Sequence, residues 1–309
     1  WAMLETLYRH DGWAIGLTTG GAGALLAGGI PKVEWLRLHD RRGFAADPFL
    51  IEEGGRRFCF FEALPYATNR GKICYAELDA AHGRPQIHDA IVAPFHLSYP
   101  YLLRHDGEIV CIPEAGESGR VTAYAARDFP DGWYQRHTLI EGFAGIDPTI
   151  FRHQGRWWML ATDGRAHWNS ELHAWYADEL FGSWRPHPQN PVKRGLDGTR
   201  PAGRPFEVNG RLYRPAQDCT LRYGRRLIIN ELLELSPDGF SERAVSIVEP
   251  EPEGPFADGL HTANVCGDLV VLDGNHLHFE PRQAVRAFAA RLNSFGAKKP
   301  LNNPTPQAT

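Results

Sequence analysis

The sequence has no run of 18 apolar residues in its 309 positions, so no hydrophobic stretch long enough for a membrane-spanning helix is expected. It also lacks a strong charge of either sign. Lys and Arg number 33 against 37 Asp and Glu, a formal net charge of −4, which removes the electrostatic footprint of a nucleic-acid binder. Cysteine is scarce: Cys59, Cys74, Cys111, Cys219 and Cys266 are odd in number, scattered and without metal-ligand spacing. They read as reduced core thiols and hence as a cytoplasmic protein. Several catalytic signatures are missing too. There is no GxSxG elbow, no GxxxxGK[ST] phosphate loop and no HExxH pair, and the Gly-rich stretch from Thr18, TTGGAGALLAGG, does not follow a strand in a βαβ pattern and reads as a flexible edge segment. Redox and nucleotide-dependent chemistry is therefore disfavoured, and no cofactor is required.

What the sequence has is a repeat. The segments AADPFLIEEGGRRFCFFEA from Ala45, SYPYLLRHDGEIVCIPEA from Ser98, GIDPTIFRHQGRWWMLATDG from Gly145 and GRPFEVNGRLYRPAQD from Gly203 share one plan. Each has a Pro, an apolar strand, a polar Gly turn and a second strand ending near an acid. Pro48, Pro100, Pro148 and Pro205 are spaced by 52, 48 and 57 residues. A period near 50 residues built from short strands and tight turns marks a propeller blade. A weaker fifth copy from Gly259 completes an all-β, five-bladed β-propeller, with blade motifs near 45–62, 98–114, 145–163, 203–218 and 259–274. The propeller is expected to form one domain over 1–296. A short N-terminal helix is expected from Ala2, a C-terminal helix from Pro281, and a disordered tail over 297–309.

The innermost strand of a blade lines the central channel, so Asp47, Tyr99, Asp147 and Arg204, each preceding a repeat Pro, are expected to ring one mouth. Counting seven residues on from the turn glycines gives a second ring of Glu62, Glu114, Thr162 and Gln217, with Glu117, Asp163 and Asp218 close behind. Carboxylates gathered this way repel one another, so at least one is expected to hold its proton near neutral pH. An ionised base opposite a protonated acid is what glycosidic cleavage needs. Tyr99, Tyr101, Trp157, Trp158 and Trp168 would offer flat faces to sugar rings. Arg200, Arg204 and Arg214 either neutralise the acids or bind an anionic substrate such as a uronic acid or phosphorylated sugar, and Gln217 and Asp218 would bind hydroxyls. Structural roles stand beside these: Asp-Pro as a local cap, Glu62 and Glu114 as ion-pair partners, His96 and His261 as hydrogen-bonded core residues.

The segments FAADPFL and GIDPTIFRHQGRWWMLATDG resemble the blade-one and blade-three motifs of family-43-type glycoside hydrolases. That resemblance implies Asp47 as general base, Asp147 as the residue that tunes the acid, and His261, in DGLHTANV, near the axis beside a structural calcium ion. It also implies a general-acid Glu at the start of blade four, two residues before a Pro. PAGRPF has Gly203 and Arg204 there, and Glu114 is the nearest replacement. A longer resemblance, through HLSYPYLLRHDGEIVCIPEAGESG, YADELFGSWRPHPQNPV and GRPFEVNGRLYRPAQDC, is to the N-terminal propeller domain of the glucosamine inositolphosphorylceramide transferase family and its bacterial relatives. It implies surface glycan or glycolipid metabolism and a carbohydrate or glycolipid ligand, with a fused or partner transferase. Two functions follow as expectations. The first is a glycoside hydrolase with catalytic Asp47, Glu114 and Asp147, acting on an anionic or furanose-type sugar. The second is a non-catalytic carbohydrate-binding propeller serving a glycosyltransferase or sugar formyltransferase.

Overall fold

The computed structural model describes residues 9–39, 42–78 and 85–279. The chain divides into a large unit, Trp13–His276, and a small one, Trp1–Gly12 with Leu277–Thr309. Of the small unit only the strand ends at 9–12 and 277–279 are described, and the helix and tail expected after Pro281 lie outside the described residues, as does most of the segment from Ala2.

The large unit is a five-bladed propeller of antiparallel meanders. Blade one runs through Gly43–Glu53, Arg56–Pro65, Lys72–Glu77 and Ile87–Ile91. Blade two runs through Ser98–His105, Glu108–Glu114, Arg120–Asp128 and Asp131–Glu141. Blade three has Gly145–His153, Arg156–Asp163 and Glu171–Ala177, edged by the short strands Arg185–Pro186 and Lys193–Arg194. Blade four has Asp197–Pro201 and Phe206–Val208 inside, then Arg211–Asp218, Arg226–Leu235 and Phe240–Val248. The last sheet closes the ring with both ends of the chain: Ala263–Cys266 and Leu269–Phe279 are followed outward by Arg9–Thr19 and Glu34–Trp35. The sequence repeat located the inner pair of that sheet and missed its N-terminal strands.

The Gly-rich stretch is not an open edge: Gly21–Leu26 forms a short helix that buries Leu25 completely against the blade-four and blade-five core of Leu227, Ile229, Leu260 and Val270. A second core, including Phe49, Phe60, Tyr101, Ile112, Ile150 and Met159, joins blades one to three. Burial of such side chains stabilises by about 1.5–3 kcal/mol each. Cys59, Cys74, Cys111 and Cys219 are buried free thiols. No helix among the described residues is long and apolar enough to cross a membrane.

The Pro repeat has a structural cause. In blades one, two and three the register jumps at the repeat, between Ala46 and Phe49, Ser98 and Tyr101, and Ile146 and Thr149. The residue before each Pro, Asp47, Tyr99 or Asp147, sits in the left-handed region at φ 53°, 44° and 49°. This is a bulge that turns the inner strand toward the axis, and Pro follows where no ladder N–H is needed. In blade four the matching dipeptide is Arg200-Pro201, not Arg204-Pro205. Pro201 lies opposite Ala216, six residues past the turn Gly210, as the blade-one bulge lies opposite Phe61, six past Gly55. The repeat spacing there becomes 53 rather than 57 residues. The four extra residues include Gly203, at φ 136°, where a Cβ would fall 2.1 Å from the Ala263 carbonyl oxygen.

The structure places two expected ligand contacts away from the ring of carboxylates. Arg204 sits further along the channel, its guanidinium 5.6 Å from the Tyr101 ring and donating to the Leu102 carbonyl, at a separate cleft of about 630 Å³ lined also by Trp157 and Ile150. Arg214 is wholly buried inside blade four, donating to Glu242 at 2.7 and 3.0 Å and to the carbonyls of Gly198 and Thr199. Lys193 reaches the same carboxylate at 2.8 Å. Replacing Arg214 by Ala leaves Glu242 charged and buried with a single partner, so urea unfolding is expected to show a loss of about 3–5 kcal/mol with ligand affinity unchanged. An Arg214→Ala protein of normal stability and impaired ligand binding would reverse this assignment.

Candidate functional site

A bulge frees a backbone N–H from the ladder, and in this propeller a carboxylate of the preceding blade accepts it. Asp47 N–H donates to Asp273 Oδ2 at 3.1 Å, Tyr99 N–H to Asp47 Oδ2 at 3.2 Å, and Asp147 N–H to Glu114 Oε2 at 3.3 Å. At blade four the side chain takes over: Arg200 grips Asp147 through Nε and, at 3.2 Å, Nη2, with Glu114 Oε2 3.8 Å away. Gln217 Nε2 adds donations to Asp147 Oδ2 at 3.2 Å and to the Pro201 carbonyl at 3.1 Å. Thr262 Oγ1 of the closing blade donates to Asp47 Oδ1 at 2.7 Å. Asp47, Glu114, Asp147, Arg200 and Gln217 therefore do converge, and all are buried.

His261 joins them from the other side. Its ring stacks on Trp13 with centroids 3.8 Å apart and planes at 15°, and Nδ1 lies 2.6 Å from Asp273 Oδ2 and 3.8 Å from Asp47 Oδ1. Burial pulls its pKa down, but Asp273 and Asp47 outweigh burial and raise it to about 9. Asp47 is pushed up to about 7, chiefly by burial, with the His261 imidazolium pulling it back. The Glu114 carboxyl is held well above the usual carboxylate range, first by burial and then by Asp147.

Asp47, His261 and Asp273 each offer one ligand atom within 4.8 Å of the others. The set does not fit calcium. That ion takes six to eight oxygens, whereas here one of three ligands is an imidazole nitrogen. The oxygens are also engaged: Asp273 Oδ1 accepts the N–H of His261 and of Thr262, and Oδ2 accepts that of Asp47.

The remaining expected residues divide. Glu62 pairs with His96, Oε1 to Nε2 at 3.2 Å, and His96 Nδ1 accepts the Gly71 N–H. His96 and Glu114 line an open cleft of about 400 Å³ with Glu117, Ile146 and Arg165. Asp218 is corrected: although buried, it is tied at the far end of its strand to Arg226, Arg225 and Thr220, and its oxygens are taken. Of the aromatics, Tyr99, Tyr101 and Trp158 are buried core residues. The Tyr99 hydroxyl joins three blades, 2.8 Å from Thr149 Oγ1 and accepting the Gly203 N–H at 2.7 Å. Of these only Trp168 presents a face at this mouth, 43% exposed, its ring 4.9 Å from the Arg200 guanidinium, which lies at the same distance from the Tyr223 ring. Sequence reasoning missed Asp273, Thr262, Trp13 and Tyr223. Asp273 was readable, since VVLD repeats the plan of an apolar strand ending in an acid.

The family described as glucosamine inositolphosphorylceramide transferase 1, N-terminal, matches residues 38–255. The chain belongs to this family. Glucosamine inositolphosphorylceramide transferase 1 of Oryza sativa subsp. japonica is 35% identical over 249 residues, covering 76% of this chain and 33% of that protein. The Arabidopsis thaliana protein of the same name is 34% identical over 205 residues, covering 64% and 27%. The chain spans about a third of the length of these curated relatives. Among solved structures, a family 117 glycoside hydrolase from Zobellia galactanivorans superposes with TM-score 0.53 at 16% identity, covering 87% of this chain and 90% of its own. The catalytic domain of a GH62 α-L-arabinofuranosidase from Coprinopsis cinerea gives 0.55 at 11%, covering 86% and 97%. At those identities the hydrolases share the fold with this family.

The pKa directions fix the sign of a pH effect. His261 is raised from 6.5 to about 9, so its contribution to stability is full below pH 6.5 and is lost as pH rises through 9. Asp47, also raised, loses stability in the same direction as pH climbs toward 7. Thermal unfolding of His261→Gln is expected to show lower stability at pH 6 and a shallower decline between pH 6.5 and 9 than the parent. An identical slope in both proteins would show that the imidazolium is not part of the axis.

Proposed function

We propose that the axial site is a carbohydrate-recognition site, serving glycosyl transfer onto a glycolipid headgroup rather than cleaving a sugar itself. The observation that carries this reading is Arg200. With the blade-four register corrected, the position two residues before the Pro is Thr199, and the residue beside the carboxylates is an arginine bound to Asp147. The position where the family-43 pattern has its acid thus holds a threonine, and the arginine next to it neutralises Asp147. Asp47, which would be the base, already accepts from Thr262 and Tyr99.

What remains available at the mouth suits binding. Trp168 offers an apolar face, stiffened by the guanidinium beneath it, and the cleft beside Glu114 carries acceptors and donors for hydroxyls. The relatives named as glucosamine inositolphosphorylceramide transferases supply the ligand class, an inositol- or hexose-bearing headgroup.

One observation favours a second reading, hydrolysis with Glu114 as acid and Asp47 as base: the Glu114 carboxyl is held well above the usual range and borders the cleft, while Asp47 is pushed up to about 7. Calorimetric titration with a panel of neutral, uronic and phosphorylated sugars separates the two when product release is assayed in parallel. Recognition predicts saturable binding without product, weakened by about tenfold in Trp168→Ala. Hydrolysis predicts released sugar, reduced by about 10²-fold or more in Glu114→Gln. No binding to any member of the panel would sink both.

A further inference from the structure

Eight large apolar side chains are conspicuously exposed among the described residues, and three of them, Trp168 at 43%, Leu196 at 41% and Leu221 at 76%, stand on three loops of blades three and four. Scattered exposed leucines are ordinary. These are not scattered, because the loops are tied together: Cys219 N–H donates to the Leu196 carbonyl at 2.8 Å, Gly195 N–H to the Ser170 carbonyl at 3.0 Å, and the Trp168 and Tyr223 rings lie 5.8 Å apart. The loops also border the axial site, since Trp168 and Tyr223 both cover Arg200.

Cations accompany the apolar tips. Arg165 and Arg222 are exposed, and Arg225 is partly so. Arg222 makes no ion pair or hydrogen bond among the described residues. Two of the acids here are already engaged, since Asp163 accepts the Arg165 backbone N–H and Asp218 is held by Arg226, Arg225 and Thr220, while Asp197 beside Leu196 is exposed. The apolar tip Leu221 beside the unpaired Arg222 matches a layer of phosphates above hydrocarbon. Leu221 projects from the surface, which suits insertion between headgroups more than the flat packing of a protein interface.

We infer that this rim docks on a membrane surface bearing anionic phospholipid, bringing the axial site to the headgroups of that surface. The inference extends the glycolipid reading above but is tested apart from it. The chain is sedimented with phosphatidylcholine vesicles and with vesicles that also contain phosphatidylinositol, and the same preparations are titrated with soluble sugar in the absence of lipid.

Binding is expected on the phosphatidylinositol vesicles alone, weakening as salt rises. It should fall about fivefold in Arg222→Ser, the worth of one arginine at such a surface, and at least as far in Leu221→Ser, with soluble-sugar affinity unchanged in both. Because both side chains are exposed, neither change should disturb the fold. Sedimentation no greater than with phosphatidylcholine, or undiminished in both variants, overturns the docking surface. So does full competition by soluble inositol phosphate, which would mean that the loops bind a free headgroup, or a lipid-independent dimer broken by Leu221→Ser. Vesicle binding without sugar binding would instead count against the axial recognition site alone.

Discussion

The ring depends on one repeated hydrogen bond: the N–H freed by a bulge in one blade, accepted by a carboxylate of the blade before it. Asp273 serves Asp47, Asp47 serves Tyr99, and Glu114 serves Asp147. Each bulge residue is held at positive φ, a conformation that non-glycine residues adopt rarely and, for a bulky tyrosine, at appreciable strain. A buried, unsatisfied N–H would add a further penalty of about 1–3 kcal/mol per blade. The acids remove that penalty and fasten neighbouring blades along the axis. Their presence is therefore explained by the architecture before any chemistry is asked of them.

That structural duty limits what the same groups can do for a ligand. An acid used as a general base needs a lone pair pointed at water, and Asp47 has a donor on each oxygen. Asp147 is more firmly committed, with Arg200 and Gln217 both directed at it. The positive charges of Arg200 and His261 balance part of the acidic cluster, and burial favours the neutral form of Glu114. The floor of the site is thus a nearly compensated lattice of fixed donors and acceptors. Such a surface can hold hydroxyl groups with little reorganisation.

Much of this was legible in the sequence. Tight Gly turns and Pro residues recur at near-constant spacing because each blade needs one turn and one bulge, and those constraints are local. The ring of Asp47, Glu114 and Asp147 followed from that period. Blade four misled because four residues are inserted between Pro201 and the strand that follows, so Arg204-Pro205 mimics the repeat while Arg200-Pro201 fulfils it. Arg214 and Asp218 looked like site residues because strand position alone does not reveal which way a side chain is drawn. Their partners, Glu242 and Arg226, come from other strands of the same blade. The N-terminal strands of the closing sheet were invisible for a different reason: ring closure is a long-range pairing that leaves no periodic trace.

The two ends of the Arg200 environment then make sense together. Below the guanidinium lie the acids that lock the blades, and above it the rings of Trp168 and Tyr223 carry the fold's rigidity out to the exposed loops. A glutamate at this point could not do both, since a carboxylate would repel Asp147 and would find no attraction in the negative face of either ring. The arginine therefore does more at the mouth than neutralise Asp147. It makes the mouth an aromatic-faced platform coupled to the axis, the arrangement that the proposed recognition of a carbohydrate headgroup calls for.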